Sequence, residues 1–193
     1  QVGSPDAWLA RLAASLDHKR AHHERLRAYA RGEADLPEIA NPAVRSAFAL
    51  FQRRCRTNFA GLAVETMLDC MHEAAFRLGA DGDATGDRLA WDMWQANGLD
   101  ADMPALRRDV FVTGEAFAMV GPPDPVTRIP VATVEDPANI AAAHDPLRRR
   151  RLRAALKVWV DPWMGTDHAK LTLRGDLLGE NAPTTVWTAE RAS

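Results

Sequence analysis

The chain has 193 residues, 47% of them hydrophobic and 26% charged, with a formal net charge of −2. That composition is ordinary for a globular protein and excludes collagen, an end-to-end coiled coil and wholesale disorder. A chain of this size buries about 70% of its unfolded surface, enough for a core without staples. The near-zero charge conceals a polarised arrangement: residues 1–60 sum to +4, residues 61–147 to −10 and residues 148–193 to +4. Such segregation lets one chain offer opposed faces to its neighbours.

Ser4-Pro5 opens a first helix, with serine as N-cap and proline at the first helical position. Trp8, Leu9, Leu12, Leu16, Leu26 and Tyr29 fall mostly at three- and four-residue steps, with Lys19 and His23 between them, and Gly32 is the stop. Its other face is basic, with Arg11, Lys19, Arg20, Arg25, Arg27 and Arg31. His18, His22 and His23 read as surface residues. The i, i+4 spacing of His18 and His22 could ligate zinc, but Lys19 and Arg20 would repel the cation and no carboxylate follows in position.

Asn41-Pro42 repeats the cap-and-proline start, and the apolar stripe from Phe48 to Met71 predicts one second helix to residue 71 or 72. Gly61 within it costs about 1 kcal/mol relative to alanine, so it marks a close approach of another backbone. Cys55 and Cys70, on one continuous helix, would lie about 22 Å apart, too far for a disulfide. They are expected to be free thiols buried in the core. No targeting segment or bilayer-length apolar stretch is visible, so synthesis and use in the cytoplasm are expected.

Residues 74–78 read as a short strand before a loop, 79–86. Helices are then predicted over about 87–97, anchored by Leu89, Trp91 and Trp94, and from Asp100 as N-cap to Thr113, with Gly114 ending the second. After Gly114 the period changes from 3.6 to 2. Strands are predicted over 115–120, 129–134, 139–143, 154–160, 169–173 and 184–187, with a rigid turn at 121–125. The fold class is therefore α+β: long N-terminal helices (1–114) followed by an antiparallel β meander (115–193).

Two clusters could carry chemistry. Asp81, Asp83, Thr85 and Asp92 fall on ligand positions of a calcium loop and Gly86 on its glycine position, and Asp81, Asp83 and Asp87 are the metal candidates. Against this, Asp92 is short for the twelfth ligand and Arg88 occupies a position that is usually apolar. The plainer reading is an acidic turn in which Asp83, Thr85 or Gly86 caps the following helix. Arg148, Arg149, Arg150, Arg151 and Arg153 form the densest charge run, between two strands. It suits phosphate contact, an acidic face of a neighbouring subunit, or a solvated hairpin tip. No aromatic residue interleaves it, so base stacking is not supported. No nucleophile elbow, phosphate loop or dinucleotide fingerprint occurs, and neither an enzyme activity nor a cofactor is expected.

The order of these elements resembles the portal proteins of long-tailed phages and actinobacterial prophages. The stretch from Gln52 to Glu65 is similar to their second helix, and Phe76-Arg77 follows as in that family. A tryptophan-rich helix comes next, from Leu89 to Asp100, then a helix running into a strand from Asp109 to Val120. Asp145-Pro146, the arginine run and Ala154–Trp159 resemble the family's β-hairpin, and the opening Trp8 with Tyr29–Gly32 also fits. The resemblance covers roughly residues 5–173.

It implies the wing portion of a subunit in a dodecameric ring at a capsid vertex, assembled in the host cytoplasm. Double-stranded DNA passes through that ring, which docks the packaging terminase, capsid and head-completion proteins. No membrane is involved. Stem, clip and crown are not in the sequence, so the chain is expected to be a fragment or the product of a shortened prophage gene, monomeric or weakly associated alone. The basic ends are expected to meet the acidic middle of a neighbour, so that reversing Arg149 and Arg150 impairs ring assembly. The alternative is a stand-alone nucleic-acid-binding module using the first helix and the Arg148–Arg153 run.

Overall fold

The computed structural model describes residues 4–34, 42–55, 57–77, 87–148, 150–175 and 185–192. Its elements run α1 (Pro5–Arg31), α2 (Pro42–Arg54), α3 (Phe59–Asp69), α4 (Arg88–Ala96), α5 (Leu99–Thr113), β1 (Phe117–Pro123) and β2 (Pro130–Glu135). A 3-10 turn (Pro137–Asn139) then leads into β3 (Ile140–His144), β4 (Leu152–Asp161), β5 (Thr166–Leu173) and β6 (Thr185–Ala192). The class is α+β, as expected, with helices first and antiparallel strands after. The chain divides into two compact units, one of residues 1–22 with 135–193 and the other of residues 23–134.

The first unit has a conventional core. Strands β3-β4-β5-β6 form an antiparallel meander in chain order. Ala154 faces Leu173 and Leu156 faces Leu171 across β4 and β5. The period of two puts these residues, with Ala141, on one side of the sheet. Trp8, Leu12 and Leu16 of α1 recur at i, i+4 and i+8 and pack onto that side. Leu16, Leu156 and Leu173 are fully buried, each contributing about 1.5–3 kcal/mol. The opposite side is amphipathic: Lys157 Nζ donates to Glu135 Oε1 at 2.6 Å and lies over the Trp159 ring, which stacks on His168 at 5.1 Å.

The second unit is held by polar locks. Arg107, buried on α5, donates to the Met71 carbonyl at 2.6 Å and pairs with Glu73. Arg108 pairs with Glu65 of α3, and Arg27 donates to Asp109 at 2.8 Å. The Asn97 side chain, at the end of α4, donates to the Pro130 carbonyl and accepts from Ala132 N–H, mimicking a strand beside β2. Phe76 packs its ring against Trp91 and Trp94.

Several local expectations are corrected. The single helix predicted from Pro42 to residue 71 is two helices, α2 and α3, separated around residues 55–58. Asn58 causes the restart, because its carboxamide oxygen accepts from Gly61 N–H as an N-cap. The disulfide distance calculated along one continuous helix therefore does not apply. Both cysteines are free, as expected, but exposed rather than buried.

Residues 74–77 are irregular rather than a strand, with Phe76 turned to the tryptophans instead of into a sheet. Helix α5 is capped by Gly98, not Asp100, because the Asp100 carboxylate accepts from Trp94 Nε1 and Gln95 Nε2. The turn expected at 121–125 comes later: β1 continues to Pro123, and the Asp124 carboxylate accepts from Val126 and Thr127 N–H. The strands form two sheets, β1-β2 and β3-β4-β5-β6.

The close approach expected at Gly61 is present. The Asn58 amide donates to the Ala30 carbonyl at 2.7 Å, so the third residue of α3 lies against the backbone of α1. A Cβ at Gly61 would stand 2.6 Å from that carbonyl oxygen and 2.3 Å from the Asn58 amide nitrogen.

Candidate interaction surfaces

The arginine run follows β3 and is organised by one acidic residue. The buried Asp145 carboxylate accepts from Leu147 N–H at 2.9 Å and Arg148 N–H at 3.2 Å, an Asx turn. Asp145 N–H donates to the Arg151 carbonyl, and Arg151 N–H donates to that of Arg148. Arg153 lies 3.3 Å and Arg174 4.0 Å from the same carboxylate. The Leu147 amide first, then the Arg148 amide and the Arg153 guanidinium, hold the Asp145 carboxyl below its ordinary range.

The run thus divides by role. Arg153 is half-buried and serves the loop, whereas Arg148, Arg150 and Arg151 are exposed. Arg149 lies outside the described residues. Arginines that face solvent from a loop pinned at its base keep their charge available to a phosphate or carboxylate partner. Nothing in the sequence run distinguished Arg153 from the others. The signal was Asp145, at the start of the loop, where a short carboxylate followed by Pro146 favours an Asx turn.

Of the three metal candidates, Asp87 alone lies among the described residues. Asp87 is the N-cap of α4, its carboxylate accepting from Ala90 N–H at 3.0 Å. It fills the capping role expected of Asp83, Thr85 or Gly86. Those three residues and Asp81 lie outside the described residues, and no described group of three His, Cys, Asp or Glu could hold a metal. His18 and His22 are exposed, as expected. His23 is not a surface residue: it is buried, with Nε2 3.3 Å from Glu115 Oε1.

Two features had no counterpart in the sequence reading. In the first unit a cavity of about 660 Å³ is bounded by Leu16 and Arg20 of α1 and by Val158, Trp159, His168 and Ala169 of β4 and β5. In the second unit large apolar side chains face solvent on α2 and α3, including Phe51, Phe59 and Leu62, each at least 60% exposed. Periodicity identified both stripes as apolar faces but could not say that they lack a partner within the described chain.

No family model matches the chain. Over 106 residues it is 34% identical to the portal protein of Mycobacterium phage L5, and 33% identical over the same length to that of Mycobacterium phage D29. The matched stretch is 52% of this chain, yet it spans only 21% of each relative, about a fifth of their length. The resemblance to phage portal proteins read from the order of helices and strands is thereby borne out over about half of the chain.

Proposed function

We propose that this chain is a structural portion of a phage portal, acting by assembly and not by catalysis. The helices of residues 1–114 and the strands of residues 115–193 would serve as the wing of a ring subunit. The ring would sit at the capsid vertex, pass double-stranded DNA, and dock terminase, capsid and head-completion proteins. Other copies of the subunit are its first partners, and assembly takes place in the host cytoplasm. The observation that carries this reading is the 34% identity over 106 residues to a protein named as a portal. The exposed apolar helices of the second unit accord with it, since a subunit keeps such faces for its neighbours.

The test is a chimaera in which the matched stretch of the L5 portal is replaced by the corresponding residues of this chain. Rings visible by electron microscopy are the expected result. A soluble, folded chimaera that forms no ring contradicts the reading. A second reading, a nucleic-acid-binding module, is favoured only by the exposure of Arg148, Arg150 and Arg151. Tight binding of duplex DNA by the isolated chain, falling steeply with salt, would select it instead.

A further inference from the structure

The loop between β3 and β4 combines three properties. It is basic: Arg148, Arg150 and Arg151 are exposed, and the buried Asp145 is the one acidic residue between His144 and Asp161. It is also apolar: Leu147 is 92% exposed, and Leu152, which faces His144 at the start of β4, is 42% exposed. Finally, it is fixed. The Asp145 carboxylate holds the Leu147 and Arg148 amides, and the backbone bonds from Asp145 to Arg151 and from Arg151 to Arg148 close the loop on itself. Arg153 engages that same carboxylate, so it is already committed and does not neutralise the exposed arginines.

Each property bears on what the loop can bind. Exposed arginines on a fixed backbone recognise carboxylates or phosphates with little ordering cost to the loop. The leucines decide between the two. Leu147 lies one residue before the first exposed arginine and Leu152 one residue after the last, so the apolar and cationic side chains come from one short segment. The phosphate backbone of duplex DNA would satisfy the arginines but gives an apolar side chain nothing to pack on. A peptide with apolar residues between its carboxylates satisfies both, and arginine clusters are a recurring device for reading acidic motifs.

We propose that the β3–β4 loop docks an acidic peptide segment with interspersed apolar residues, carried by a partner protein. Arg148, Arg150 and Arg151 take its carboxylates, and Leu147 and Leu152 take its apolar side chains. The proposal goes beyond the portal reading and does not depend on it.

Fluorescence anisotropy of the full chain at physiological salt tests it with three labelled probes. These are a peptide of glutamate with leucine at every fourth position, polyglutamate of equal length, and a short DNA duplex. The leucine-bearing peptide should bind at least tenfold tighter than either of the others. Arg150→Glu with Arg151→Glu should abolish its binding, and Leu147→Ser, altering a side chain already exposed, should reduce it to the level of polyglutamate. Asp145→Asn and Asp145→Ala carry the same charge, but only asparagine keeps an oxygen that can accept from the Leu147 and Arg148 amides. The asparagine variant should bind like the parent. The alanine variant should bind at least fivefold more weakly, although it is one charge more positive than the parent. Circular dichroism checks that each variant keeps its fold, and Leu147→Ser serves where Asp145→Ala does not. Polyglutamate binding as tightly as the leucine-bearing peptide, indifference to Leu147→Ser, or equal affinity of two folded Asp145 variants would each overturn the proposal. Tighter binding of the duplex would also overturn it and select the nucleic-acid reading. If the portal chimaera forms rings while the leucine-bearing peptide shows no preference, this docking loop is wrong and the portal reading stands.

Discussion

The two units solve the same problem in opposite ways. The first buries Trp8, Leu12, Leu16, Leu156, Leu171 and Leu173 between α1 and a four-stranded sheet. The second buries no apolar side chain among its described residues; the two that it does bury are His23 and Arg107. Apolar burial is non-directional and needs no partner, so the first unit has the means to stand alone. Ion pairs and side-chain hydrogen bonds fix geometry but contribute little net stability when half exposed. The second unit is therefore specified in shape and short of driving force.

The contrast can be broken most sharply at the core. Leu156→Ala in the first unit should cost about 2–5 kcal/mol in chemical denaturation, through lost burial and a residual cavity. Phe51→Ala in the second should change the stability of dilute monomer by less than about 0.5 kcal/mol. Next in size, Arg107→Met strands the Met71 carbonyl and Glu73, and should destabilise the second unit by about 2 kcal/mol. Gly61→Ala should cost about 1–2 kcal/mol despite the better helix propensity of alanine. The new methyl would strike the Ala30 carbonyl and the Asn58 amide, and neither can move without losing their hydrogen bond.

The smallest effect concerns acid. The Arg107 guanidinium holds the Glu73 carboxyl below its ordinary value of 4.5. A carboxylate depressed in the folded state stabilises above that value, and its contribution is lost as pH falls through the lower folded one. Melting temperatures measured from pH 5 downward should therefore fall less steeply for Glu73→Gln than for the parent chain. An unchanged slope would mean that the pair does not hold in solution.

Much of this was legible in the sequence where local chemistry decides. Ser4-Pro5, the change of period after Gly114 and the alternation through β3–β5 placed their elements within a few residues. Gly61 announced a close contact because a glycine inside an apolar helix pattern needs a reason. What was not legible turned on competition between partners. Asn58 could continue a helix or cap a new one, and it caps. Asp100 could cap α5 or bind two side chains of α4, and it binds them. Phe76 has the residue type of a strand yet packs on tryptophans fifteen and eighteen positions later. The arginine run showed its charge but not its division of labour, because Asp145 selects Arg153 through folding and not through spacing. An apolar stripe reads the same whether its partner lies in the same chain or in another, so the exposure of α2 and α3 was not legible.

The most direct test of this account is hydrogen exchange on dilute and concentrated samples of the same chain. Amides of β4 and β5 should be protected at every concentration. Those of α2 and α3 should exchange orders of magnitude faster in dilute monomer. Protection of α2 equal to that of β4 in the dilute monomer would contradict it, because the second unit would then be complete without a neighbour.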